Sequence, residues 1–226
     1  VMRYLLNTVA GAISVLFCIS SIAATDAEEL LQTRSAEFRQ DVIEVAPGVH
    51  TAVGFGVSPT SMIVGDSGVV IIDTQIDSTM ARAVLAEFRK ITDKPVSGIV
   101  LTHGHGDHTG GVGVFAAAGD NVQIWTREGF NQESRTLADA GLTIQQARGA
   151  RQGGFLLKPE QRINNGVAKA YFPKRGGEVF AAEDTNPTHT LSAAREKVSI
   201  AGVELDLVAA IGEAHGGLYV SYPREG

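Results

Sequence analysis

Three of the six histidines in this chain stand between positions 103 and 108, within the stretch LTHGHGDHTGG at residues 101–111. His103 and His105 are two residues apart and can project together toward one ion. Asp107 and His108 are adjacent and, where a loop turns into a helix, can serve a second ion nearby. Neutral imidazole and carboxylate are donors that suit Zn²⁺, and the lone cysteine, Cys18, leaves no thiolate set for a softer metal. Gly104, Gly106, Gly110 and Gly111 let the backbone bend tightly around such a centre. The plain alternative is a histidine-rich surface turn. Against it stands the placement of the cluster just after a buried strand, where α/β proteins concentrate their chemistry.

The elements that must position these residues are legible around them. Short β-like runs, VIEVA, VHTAVGF, SMIVG and GVVIID, fill residues 42–73 and are separated by Pro47-Gly48, Pro59 and Asp66-Ser67-Gly68. They read as an antiparallel meander ending in a buried strand. Asp77-Ser78 then caps a helix in which Met80, Val84, Leu85, Phe88 and Ile91 recur at three- and four-residue steps. VSGIVLT is the next buried strand and delivers His103 at its carboxyl end. An apolar helix around 110–117, a strand VQIWT and a helical stretch from 127 to about 148 follow. Strand, helix, strand, helix implies parallel pairs with helices on the faces of a sheet, the α/β class. Residues 149–190 read as a long irregular insertion, after which KVSIAG and VELDLVAAI form a hairpin and GLYVSYP a last strand. PREG ends the chain in turn chemistry without a return strand, so the sheet is expected to be incomplete there.

Composition narrows the function. At 226 residues and 23.8 kDa the chain is long enough for one sizeable core. A net charge of −6 and no basic run exclude a nucleic-acid surface. Residues 1–24 place Arg3 before an apolar run through Ile22 and small residues at 23–24, followed by acidic TDAEE. That is the layout of a secretory signal peptide, with Ser21-Ile22-Ala23 as the cleavage motif, and Asn7 and Thr8 weaken the run as a membrane span. The expected product is an exported, periplasmic or secreted domain over 25–226. Within that domain, residues 26–40 have helical composition and read as an outer leader.

His103-Gly-His105-Gly-Asp107-His108 resembles the HxHxDH motif of the metallo-β-lactamase superfamily, with Asp73 after the VVIID strand also in place. The resemblance implies the αβ/βα four-layer sandwich of that fold, incomplete in its second half. It also implies that Asp73 supports the metal loop, although by position alone Asp73 is equally a strand-end cap. In the segment IGEAHGGLYVSYP, Glu213 falls in the next ligand slot and His215 two places later. A glutamate there resembles the alkylsulfatase branch, as do the stretches IIDTQIDSTMARAVLAEFRK, KPVSGIVLTHGHGDHTGG, SIAGVELDLVAAIGEAHGGLYV and RINNGVAKA. Together they cover about residues 42–223.

The branch resemblance implies a zinc-dependent hydrolase that cleaves an amphiphilic alkyl sulfate with a hydroxide shared by two Zn²⁺. His103, His105 and Glu213 hold one ion in this reading, Asp107 and His108 the other, with Asp107 also a catalytic carboxylate. His215 remains the alternative ligand to Glu213. His50 and His189 have no neighbouring ligand and read as strand or loop histidines. A homodimer is implied for the full-length protein, along with a second bridging glutamate, a last histidine ligand and a catalytic histidine beyond Gly226. Arg151 and Gly153 stand where the branch places tyrosines near its substrate, so pocket chemistry departs from the pattern. Two other readings stay open: a hydrolase of the same fold acting on a lactam, lactone or thioester, and a non-catalytic metal-binding fragment.

Overall fold

The computed structural model describes residues 27–132, 148, 151–152, 156–164, 166, 185–212 and 214–223. The expected signal peptide at 1–24, residues 133–147 of the helix expected at 127–148 and most of the insertion lie outside the described residues; at the start of that expected helix, residue 127 ends a strand and 128–131 form a turn instead. The chain divides into two units, 1–38 and 39–226. In the first, residues 27–35 form a helix (α1). Near its end the hydroxyls of Thr33 and Ser35 bond back to the carbonyls of Glu29 and Leu31, each at 2.9 Å.

The second unit is built on a seven-stranded sheet in chain order. Its strands are β1 (Asp41–Ala46), β2 (Val49–Val53), β3 (Thr60–Val64), β4 (Val69–Ile72), β5 (Val96–Val100), β6 (Gln123–Arg127) and β7 (His189–Leu191). The pairs from β1 through β4 are antiparallel, as the meander predicts, and those from β4 through β7 are parallel. β7 was not expected, because residues up to 190 read as insertion. A three-residue edge strand is too short to show an alternating pattern. Its first residue, His189, stacks on Trp125 with ring centroids 4.5 Å apart, and His50 lies within β2.

Between β4 and β5 runs α2 (Ser78–Phe88). Asp77 caps it as expected, its carboxylate accepting from the Thr79 and Met80 amides at 2.9 Å. Met80, Ala81, Val84 and Phe88 are buried, whereas Ile91 lies past the helix and is 42% exposed, so the apolar series ends one turn earlier than predicted. After β5 come two short helices, α3 (Gly106–Thr109) and α4 (Val112–Ala116), where one helix around 110–117 was expected.

The predicted hairpin forms from β8 (Arg195–Ile200) and β9 (Val203–Ala209), and β10 (Leu218–Ser221) joins it in a second, antiparallel sheet of order β10-β9-β8. The two residues of the hairpin turn, Ala201 and Gly202, both have positive φ, 54° and 85°. That turn matches the right-handed twist of the strands it joins. Asp206 is buried in β9, and the guanidinium of Arg195 hydrogen-bonds it at 2.5 Å and holds its carboxyl below the ordinary range.

Two cores follow from the strand alternation. Met62, Val69, Ile71, Ile99 and Leu101 face Val84 and Phe88 of α2 and Val112 and Phe115 of α4. Val70, Val100, Trp125 and Leu191 face Val198, Leu205 and Leu207 of the second sheet. β4 and β5 are therefore buried on both faces, which is why they read as continuous apolar runs. The described layers are helices, large sheet and small sheet. The outer helical layer of the expected four-layer sandwich is not among the described residues.

Candidate metal centre

The parallel strands β4 and β5 end side by side, and this brings together residues 29 and 35 positions apart. Asp73 follows β4 with φ of 56°, a conformation uncommon for any residue but glycine, and Asn and Asp tolerate it best. Its carboxylate faces the end of β5. Oδ1 accepts from the Thr102 amide at 2.8 Å, and Oδ2 accepts from the Thr102 hydroxyl at 2.8 Å and from His108 Nδ1 at 2.7 Å.

Counting protons through these contacts assigns two tautomers. A carboxylate only accepts, so His108 carries its proton on Nδ1, and Nε2 is left as the basic nitrogen. Thr102 gives its single hydroxyl proton to Asp73. Its oxygen must then accept from His103 Nδ1, 3.0 Å away, and Nε2 is the basic nitrogen there too. One buried carboxylate thus orients both imidazoles, the relationship that supporting carboxylates bear to ligating histidines.

The histidines themselves are in contact. The ring centroid of His103 is 4.7 Å from that of His105 and 4.1 Å from that of His108, and Asp107 Oδ2 is 3.4 Å from His108 Nε2. Imidazole nitrogen and carboxylate oxygen are the donor types zinc takes, so these four side chains fit the ion by their chemistry. Among the described residues no group of three or more His, Cys, Asp or Glu side chains is arranged to hold a metal ion. His103, His105, Asp107 and His108 are nevertheless suitable donors that lie close together. Glu213 lies outside the described residues, and His215 is exposed in the turn before β10.

The sequence reading missed the groups that hold α3 in place. The amide of Thr74 and its hydroxyl both donate to the His108 carbonyl at 2.8 Å. The hydroxyl of Ser58, from the loop between β2 and β3, donates to the Asp107 carbonyl. Gly111 donates its amide to the Gln75 carbonyl at 3.2 Å. None of these residues carries a signal of its own. Only Thr102, inside the quoted motif, was open to recognition. Beside His103 a cleft of about 150 Å³ is lined by Thr102, Ala210, Gly212, Ala214, Gly217 and Leu218.

Residues 53–189 match the sequence model of the metallo-beta-lactamase superfamily. A linear primary-alkylsulfatase of a Pseudomonas species is 31% identical over 157 residues, which are 68% of this chain and 29% of that protein. An (R)-specific secondary-alkylsulfatase, also from Pseudomonas, is 27% identical over 198 residues, 81% of this chain and 28% of that one. Among solved structures, the stereoselective inverting sec-alkylsulfatase Pisa1 from Pseudomonas superposes with a TM-score of 0.67 at 25% identity. That match covers 81% of this chain and 30% of Pisa1. The chain therefore spans less than a third of the length of these relatives.

Proposed function

The chain belongs to the metallo-beta-lactamase superfamily, and on that premise we propose that it carries the first part of a zinc-dependent hydrolase of alkyl sulfate esters. The observation that carries the reading is the cluster of three touching imidazoles with Asp107, oriented by Asp73, in a chain whose curated relatives are alkylsulfatases. In this reading His103, His105 and Glu213 hold one Zn²⁺, and Asp107 and His108 hold a second. When bound, a pair of such ions acidifies water toward neutral pH and offsets the negative charge that builds on a sulfate leaving group.

The rest belongs to this chain's own side chains. Asp73 and Thr102 keep a proton on Nδ1 of His103 and of His108, so that in each neutral ring Nε2 is the nitrogen left to bind a metal. Asp107, 32% exposed at the cluster edge, is the carboxylate best placed to take or return a proton on the open side. The signal-peptide layout of the sequence at 1–24 supports a reading of export to the periplasm or beyond. Among the described residues no helix is long and apolar enough to cross a membrane.

A full-length version of the protein, loaded with zinc, should release sulfate from dodecyl sulfate, supplied at low concentration, faster than it opens a chromogenic cephalosporin. The opposite ranking would refute the sulfatase reading and favour a lactam-directed member of the superfamily. Binding of two zinc ions per chain supports the site, whereas one or none supports a non-catalytic remnant.

Asp73→Asn tests the tautomer assignment. Asparagine tolerates the positive φ and has the same shape, but its amide places a donor where Thr102 or His108 needs an acceptor. Zinc affinity, measured by chelator competition, should fall about 10- to 100-fold. An unchanged affinity would mean that the two rings do not depend on Asp73 for their tautomers.

A further inference from the structure

The cleft beside His103 has a wall that belongs to the second sheet: the loop from Ala210 to Gly217, between β9 and β10. Its neck is closed by the Ala210 amide donating to the Gly217 carbonyl at 3.0 Å. Directly after it, the Leu218 amide donates to the Thr102 carbonyl at 2.8 Å, which sets the start of β10 beside the end of β5. Arg127, the last residue of β6, reaches the same neck. Its Nη1 donates to the Ala210 carbonyl at 3.0 Å and to the Gly217 carbonyl at 3.1 Å. Hydrogen bonds from a charged donor are roughly twice as strong as neutral ones. A single cationic nitrogen therefore ties both ends of the loop to the large sheet.

The turn that follows β6 makes a second contact with this loop. Gly216 has φ of 71°, and a Cβ there would lie 2.3 Å from the Phe130 amide nitrogen and 2.5 Å from the Gly129 carbonyl carbon. Backbone meets backbone at that point, so the loop is seated against the end of β6 at its neck and at Gly216 alike. Trp125 packs between the sheets, and Arg127, two positions later on the same strand face, points the same way.

Resting on the zinc reading above, we propose that Arg127 is a positioning residue for the metal centre. By clamping Ala210 and Gly217 to the end of β6, it sets how close the loop 210–217 stands to His103, and hence which loop side chain can complete the ligand set. Arg127 touches neither metal nor substrate in this role. It acts through the loop.

The test uses the full chain and compares wild type with Arg127→Met, which keeps the aliphatic stem and removes the donors, and with Arg127→Lys, which restores a cation. Hydrogen exchange is read in zinc-free protein, and zinc affinity by chelator competition. In Arg127→Met, exchange across 210–218 should rise at least tenfold while 69–72 and 96–101 stay as in wild type, and zinc affinity should fall at least tenfold. Arg127→Lys should recover most of both. Val198→Ala, which opens the core between the sheets, should lower stability and leave zinc affinity unchanged, separating a positioning effect from general loosening. If Arg127→Met does not fold, Arg127→Gln carries the same comparison with a smaller change.

Wild-type exchange at 210–218 in the Met variant overturns the proposal, as does loosened exchange with undiminished zinc affinity. A wild type that takes up no zinc defeats the metal reading before any variant is made, and the positioning role with it. A wild type that binds zinc, beside an Arg127→Met variant of equal affinity, defeats the positioning role alone.

Discussion

In a full-length version of the protein, a His103→Ala variant is expected to lose at least about three orders of magnitude in alkyl sulfate turnover, about 4 kcal/mol of transition-state stabilisation. His103 sits at the centre of the cluster, its ring in contact with those of both His105 and His108. It is also the imidazole whose Nδ1 is engaged by Thr102, so the proposed ligand nitrogen is pre-assigned before any metal arrives. Removing it takes away one donor and opens the contact that keeps the other two rings together. Zinc content should fall in the same variant. His189→Ala is the control: His189 is exposed and stacked on Trp125 at the sheet edge, and its loss should leave turnover within about twofold of wild type, as for a surface change away from the site. Turnover retained in His103→Ala would defeat the assignment of the site.

The second large effect is on folding. A Cβ on Gly111 would lie 2.1 Å from the Thr74 carbonyl oxygen and 2.4 Å from the Ala81 Cβ, and one on Gly110 would lie 1.9 Å from the Ile76 carbonyl oxygen. These obstacles are mostly backbone, which cannot rotate aside as a side chain can. Overpacking a core ordinarily costs about 1–3 kcal/mol, and Gly110→Ala or Gly111→Ala should reach or exceed the upper end of that range. Urea unfolding is the measurement, with a lowered midpoint at unchanged slope as the expected sign.

The damage would also reach the site, because the 74–77 turn is what holds α3 through the Thr74 and Gln75 bonds. Zinc affinity should therefore drop even in the fraction that remains folded. Gly106 is the contrast: nothing stands within 4 Å of its Cβ position, and Gly106→Ala should change stability by no more than about 0.5 kcal/mol. Equal stability of the Gly106 and Gly111 variants would show that α3 is not wedged against the turn as described.

Much of this protein was decided by local pattern. The meander at 41–72, the capped helix after Asp77, the buried strand that ends before His103 and the hairpin around Ala201-Gly202 all rest on short-range signals. These are turn residues at fixed offsets, a carboxylate at an N-cap, and continuous apolar runs where a strand is covered on both faces. The spacing of His103, His105, Asp107 and His108 belongs to the same class, since six consecutive residues carry the whole signal. Where the pattern was weak, the reading slipped. β7 has three residues and no period, and the helix at 110–117 proved to be two short ones, the first of which begins within the motif itself.

What only the tertiary structure decided is which distant groups serve that motif. Asp73 reaches Thr102 and His108 because β4 and β5 are parallel and end level, a register set by long-range pairing. Ser58 and Thr74 meet α3 from two other loops, and Arg127 meets the Ala210–Gly217 neck across 83 and 90 positions of chain. Such contacts leave no trace in local sequence, because each partner is an ordinary serine, threonine or arginine until the sheets bring it within hydrogen-bond reach. The residue types that can bind a metal are written in the chain. Their protons, their orientation and the wall of their cleft come from packing two sheets together.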